Sequence, residues 1–261
     1  MAKYKIWWQS STQLDLLPGY KEAIEEHASH ILSPDFELEM HGVETSSNLV
    51  QYSYFELLNG RDMMENFFRA QEQGFDAIAI GCFSDPCLRE AREALDIPVV
   101  SIAQNAMLWA KLYGDSASII TTDEVVTTKK FAALVREYGC GDFLLPFTKC
   151  YMTLEEMASA LVEPEAAMAR YQAACAEAVA AGAEVIIPGC GLLAALSART
   201  HYHQVGDTGA VILDVAGALM KTAEAAVTLH RVSGMMTSRN GTYRKPDNQV
   251  IWQVREHYGL L

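Results

Sequence analysis

Residues 73–82 read QGFDAIAIGC, and residues 181–190 read AGAEVIIPGC. Set in register, both give a glycine (Gly74, Gly182), an acidic residue (Asp76, Glu184), a short apolar run, and then Gly81-Cys82 or Gly189-Cys190. An apolar run without polar alternation is the pattern of a strand buried on both faces, the usual condition of a parallel sheet. Each cysteine leads into helical sequence: Asp85-Pro86 opens a segment running to Leu95, and GLLAALS follows Cys190. One cysteine at a strand tip is most simply a buried structural thiol, since free cysteine is among the most buried residue types. Two of them, at corresponding points of similar units 108 residues apart, argue for a duplicated device. Open α/β sheets bind ligands where strand carboxyl ends face helix amino termini, and the positive helix end favours a thiolate.

Outward from these two motifs, strand and helix patterns alternate along most of the chain. Strands are expected at Tyr4–Gln9, Phe36–His41, Ala77–Ile80, Val99–Ile102, Ser118–Thr121, Phe143–Pro146, Ala183–Ile187 and Ala210–Leu213. Helices are expected at about Pro18–Leu32, Gly60–Gln73, Asp85–Leu95, Glu124–Tyr138, Glu163–Ala181 and Gly217–His230, with one more after the second cysteine. The expected fold is α/β, with two pseudo-symmetric lobes, each a mostly parallel sheet flanked by helices, and an active site in the cleft between them. The first lobe takes residues 1–104 plus 217–261 and carries Cys82; the second takes 105–216 and carries Cys190. No flexible linker separates the halves. The tail RNGTYRKPDNQV has turn composition and is expected to wrap over the surface.

Composition narrows the function. Half of the 261 residues are hydrophobic and the net charge is −13, which argues against nucleic acid or an anionic membrane as partner. No apolar run approaches the roughly 18 residues of a membrane helix, and the opening MAKYKIWWQSST reads as a strand, not an export signal. The six cysteines show no framework spacing and are expected to be reduced thiols of a cytoplasmic protein. Cys140, Cys150 and Cys175 lack the Gly-Cys-helix setting and read as structural. His201 and His203, near Asp207, read as loop histidines; no metal site is expected. There is no Walker A loop and no Gly-x-Gly-x-x-Gly, so no cofactor is expected.

Two strand-end thiols on opposite walls of a cleft suit the inversion of a stereocentre. One thiolate removes a proton from one face of a carbon, and the opposite thiol delivers a proton to the other. A free thiol titrates near about 8.5, and a helix terminus lowers that value, so both protonation states are expected near neutrality. Backbone N–H groups at the loop tips would hold the developing enolate oxygen, and Gly81 and Gly189 would let the backbone approach the substrate.

Residues 78–102, read with VIIPGCGLLA at 185–194, VILDVAGALMKTAEAAV at 211–227 and the late MMTSRNGTYRKP, resemble the aspartate/glutamate racemase superfamily, and within it the hydantoin and allantoin racemase branch. The resemblance implies a cofactor-independent racemase with Cys82 and Cys190 as its two acid/base groups. It also implies a substrate-binding loop after the first strand, where Gln9-Ser10-Ser11-Thr12 replaces the branch's Asn-Pro-Asn-Thr, and a counterpart at Thr121-Thr122. The expected binding set is Gln9, Ser11, Thr12, Phe83, Ser84, Thr121, Thr122, Gly191 and Leu192; the same Ser and Thr residues would also serve as helix caps. Trp7, Trp8 and Phe83 read as core, or as an aromatic wall for a bulky substrate. The segment SARTHYHQVGDTGA is longer and more polar than the branch leads one to expect. The expected substrate is a 5-substituted hydantoin or close relative. The alternatives are an amino-acid racemase, a maleate-type cis-trans isomerase, a decarboxylase, or a non-catalytic small-acid binding protein. Expected partners are a small-molecule substrate and further copies of the chain in a homo-oligomer, with no nucleic acid and no membrane.

Overall fold

The computed structural model describes residues 3–46, 49–122 and 125–260. Its first half runs β1 (Tyr4–Gln9), α1 (Tyr20–Ile31), β2 (Phe36–His41), α2 (Ser53–Glu72), β3 (Ala77–Ile80), α3 (Leu88–Ala94) and β4 (Val99–Ser101). Helix α4 (Ile102–Ala110) then leads into the second half. This comprises β5 (Ala117–Thr121), α5 (Val125–Glu137), β6 (Thr148–Lys149), α6 (Leu154–Ser159), α7 (Glu165–Ala180), β7 (Val185–Pro188), α8 (Gly191–Thr200) and β8 (Val211–Ile212). Helices α9 (Val215–Ser233) and α10 (Asn248–His257) close the chain.

The strands form two four-stranded sheets ordered β2-β1-β3-β4 and β6-β5-β7-β8, with every pairing parallel. The second order is the first repeated, so β5 to β8 stand where β1 to β4 stand, and the two-lobed α/β plan is met. In such an order the chain winds one way from β1 and the other way from β3. The crevice between the carboxyl ends of those two strands is the topological switch point, where ligands bind in open sheets. The loops after β1 and β3, and after β5 and β7, are therefore the ones placed for function.

Burial on both faces explains the apolar strands. On β1, Ile6 and Trp8 enter a core that continues into the second lobe through Ile119, Ile187 and Leu193, while Trp7 enters a smaller core with Met63, Phe67, Ile78 and Leu95. Trp7 stacks on His41, and its indole donates to Gln9 Oε1 at 2.8 Å. Neither Trp7 nor Trp8 forms an aromatic wall; both are core. Helix α9 lies against α1, α4, β3 and β4.

Several boundaries differ from the sequence reading. The expected strand at Phe143–Pro146 makes one bridge, Leu144 to Ala117, and pairing resumes only at β6. Pro146 brings no N–H to the ladder and interrupts it. Helix α2 starts at Ser53, about two turns before the expected Gly60; its exposed Tyr54, Leu57 and Leu58 give that start no amphipathic signal. The expected start of the next helix at Glu124 lies outside the described residues. Helix α3 starts at Leu88, not Asp85, because Asp85 and Cys87 adopt left-handed φ values of 48° and 60°. The tail is more ordered than turn composition suggests: Arg239 donates to the carbonyls of Arg92, Glu93 and Leu95 at the end of α3, and α10 follows. Among the described residues, no helix is long and apolar enough to cross a membrane.

Candidate active site

Between the lobes lies a cleft of about 700 Å³, walled by the loops after β1, β3, β5 and β7 together with α5 and α6. Cys82 and Cys190 both face it, each half-buried. The two Gly-Cys motifs meet there. A methyl group on Gly191 would stand 2.6 Å from the Gly81 carbonyl oxygen, so the residue after one cysteine lies against the residue before the other. Gly81 and Gly189 both line the cleft, as expected of glycines that let the backbone approach a ligand. Packing also demands them: a side chain at Gly81 would collide with the Trp8 indole, and one at Gly189 would come 2.6 Å from the Ile120 carbonyl oxygen.

The two thiols occupy equivalent places with unequal support. Cys190 is the N-cap residue of α8; its sulfur makes no capping hydrogen bond, and the N–H groups of Leu192 and Leu193 lie close enough to favour its thiolate. Cys82 is separated from α3 by the irregular turn through Asp85 and Cys87, so no helix end supports it. Its sulfur instead lies 3.3 Å from the Ser84 hydroxyl, with the Ser11 hydroxyl also in reach. Burial pushes both thiols up, Cys190 to about 12, and these donors offset only part of that. This departs from the expectation of thiolates near neutrality: desolvation outweighs the helix terminus.

The binding residues divide. Ser11, Thr12, Phe83, Ser84, Thr122, Gly191 and Leu192 line the cleft. Gln9 and Thr121 do not: both are fully buried, and the Gln9 amide is committed to the Trp7 indole and the Ser10 carbonyl. The Thr122 hydroxyl is buried at the cleft with no partner among the described residues, a donor with its hydrogen bond unspent. Phe83 packs on Phe131 of α5 at 5.0 Å, while Leu16, Leu17, Pro18, Leu154 and Ala158 give the opposite side an apolar surface. Cys140, Cys150 and Cys175 are buried away from the cleft. No group of three His, Cys, Asp or Glu side chains suited to a metal occurs among the described residues.

Three cleft residues escaped the sequence reading. Tyr20, the first residue of α1, is buried with its hydroxyl close to the cysteine motifs. Lys130 of α5 reaches across the cleft to Glu56 of α2 at 2.8 Å. Phe131 completes the aromatic side. Only Tyr20 left a signal, as a bulky residue directly after Pro18-Gly19 behind the first polar loop.

A parallel α/β protein of two like lobes, with matched strand-end thiols at the switch points of both sheets, has the architecture of a racemase. The chain belongs to the Asp/Glu/Hydantoin racemase family, whose profile matches residues 19–223. It is 26% identical over 211 residues to the hydantoin racemase of Pseudomonas sp. (strain NS671), covering 80% of each chain. Among solved structures, the allantoin racemase from Klebsiella pneumoniae superposes with a TM-score of 0.80 at 23% identity, over 94% of this chain and 95% of the other. The allantoin racemase from Pseudomonas fluorescens gives a TM-score of 0.75 at 24% identity, over 93% and 97%.

Proposed function

We propose that this racemase inverts the acidic carbon of a 5-substituted hydantoin or a close cyclic relative, using Cys82 and Cys190 as its two bases. The observation that carries this is the meeting of the two Gly-Cys motifs on one cleft. One sulfur, as thiolate, takes the proton from the stereocentre, and the C–H electron pair moves onto the adjacent carbonyl oxygen. The opposite thiol then gives its proton to the other face, and its sulfur is left as the thiolate. The hydroxyls of Ser11, Thr12 and Thr122 suit the polar edge of a cyclic imide, and the apolar side suits its substituent. The names of the relatives support the substrate class.

Incubation in D₂O with chiral hydantoins, allantoin and amino acids tests the reading. Solvent deuterium should enter at the stereocentre as optical rotation is lost, with hydantoins the preferred class. Replacing either cysteine by serine should cut racemisation by at least about 10²-fold. Each single variant should keep proton exchange with one enantiomer only, the two variants with opposite ones. Exchange of the same enantiomer by both variants would exclude two opposed bases.

A further inference from the structure

Tyr20 occupies the one position in the cleft shared by both cysteine motifs. Its ring is 3% exposed, and its oxygen stands 2.7 Å from where a methyl on Gly191 would lie. The Gly81 carbonyl is at the same point, 2.6 Å from that methyl position. The hydroxyl is thus wedged between the residue following Cys190 and the residue preceding Cys82, and only a glycine at 191 leaves room for it. It lies within electrostatic reach of both sulfurs and is hydrogen-bonded to neither.

The Trp8 indole N–H lies near the Tyr20 oxygen and is itself buried without a hydrogen-bond partner among the described residues. No described protein group accepts the Tyr20 proton, so the O–H is free to point into the cleft. Tyr20 lines the same cleft as both cysteines, so a substrate oxygen held between the two motifs comes within reach of its hydroxyl.

Building on the two-base reading above, we propose that Tyr20 is a catalytic hydrogen-bond donor to the substrate oxygen that takes up charge when the carbon is deprotonated. Tyr20 keeps its proton throughout; the carbon's proton goes to a cysteine, and the electron pair goes to the oxygen that the hydroxyl holds. Burial raises the phenol far above the working range, so it stays a neutral donor and does not compete with the thiols for protons.

The test compares wild type with Tyr20→Phe on the best substrate of the hydantoin panel. Removal of one such donor should lower kcat by about 10²–10³-fold for both enantiomers alike, with KM little changed. The pH dependence of alkylation at Cys82 and Cys190 should stay as in wild type. Unchanged kcat in Tyr20→Phe would overturn the proposal while leaving the two-cysteine reading intact. So would a loss that appears as lower thermal stability and shifted alkylation of both thiols, since that marks a structural brace. Inactivity of the wild type toward the whole panel would instead refute the substrate reading. As an isosteric control, trifluorotyrosine incorporated at position 20 acidifies the phenol without altering packing. A new alkaline limb in kcat should then appear, as the hydroxyl loses the proton it must donate; its absence would also overturn the role.

Discussion

Cys190 has a helix terminus at its sulfur and Cys82 has hydroxyls, yet the helix-supported thiol is the one pushed to about 12. Burial exceeds the help of two N–H groups, and a thiolate at Cys82 would raise Cys190 further by repulsion. In the two-base reading Cys82, supported by hydroxyls, should therefore ionise before Cys190. An iodoacetamide time course with peptide mapping should label Cys82 ahead of Cys190, and substrate should slow the reaction. The pH dependence follows with its sign. In the proposed two-base reaction activity needs one thiolate and one thiol, so it should rise as Cys82 ionises and fall only when Cys190 does. With both values raised, the rate maximum should lie on the alkaline side of pH 8, and an optimum near pH 6 would contradict this ordering. Tyr20 belongs to the same scale. Its position after Pro18-Gly19 marks a residue near the first loop, but its place between the cysteine motifs is set by Gly191, which reaches it only once the lobes have met.

At the scale of elements, the turn after Cys82 is held by one buried carboxylate. Asp85 accepts from the N–H groups of Ala103 and Gln104, each at 2.9 Å, and from the Tyr138 hydroxyl at 2.7 Å. It thereby caps α4 and ties the cysteine loop to the end of α5 in the other lobe. Burial pushes its carboxyl up to about 6 despite these donors. An acid whose folded value exceeds its unfolded value, about 3.9, binds more protons folded than unfolded between the two. Its contribution is full below about pH 4 and is lost as pH rises to about 6, by up to about 3 kcal/mol. Asp85→Asn should remove that slope, so the wild-type minus variant difference in urea stability should fall between pH 4 and 6.5 and then level off. Taking the difference cancels Asp214, where burial is outweighed by His27, the Gly217 N–H and His203 together and the sign is opposite. The same contacts show why some elements were legible and others were not. Strands β3 and β7 carry their own apolar signal between glycines. Helix α4 depends on a cap from a distant loop, and α10 on the Arg255 guanidinium set 4.1 Å from the Phe68 ring and 4.5 Å from the Trp252 ring. These are tertiary causes that no local window contains.

At the scale of the molecule, the lobes are joined across the cleft by Lys130 and Glu56, a pair whose side chains are 17% and 24% exposed. The second Glu56 oxygen is buried without a partner among the described residues, and the carboxylate already raises Cys82. Removing the lysine strands that charge. Lys130→Met should cost about 1–3 kcal/mol and move alkylation of Cys82 to higher pH. The double variant Glu56→Gln/Lys130→Met should recover much of both losses, because the stranded charge is gone with its partner. If Lys130→Met and the double variant behave alike, the pair does not couple the lobes to the thiol. The two like lobes and the cleft between them were legible from two ten-residue stretches, since each lobe restates the other. The pair that joins the lobes across that cleft, Lys130 and Glu56, was not, because its members come from opposite halves.

The unequal surroundings of Cys82 and Cys190 meet a constraint that no protein can relax. In water, mirror-image substrates have equal free energy, so their equilibrium constant is one. The ratio of kcat/KM for the two enantiomers is then one as well, however much better either wall of the cleft is at its task. For the reaction proposed here, the difference between a hydroxyl-supported sulfur and a helix-supported one must appear as kcat and KM rising or falling together for one enantiomer. A progress curve started from either hand will therefore end at the same racemic mixture, and the asymmetry will be visible only in how readily each hand saturates the enzyme.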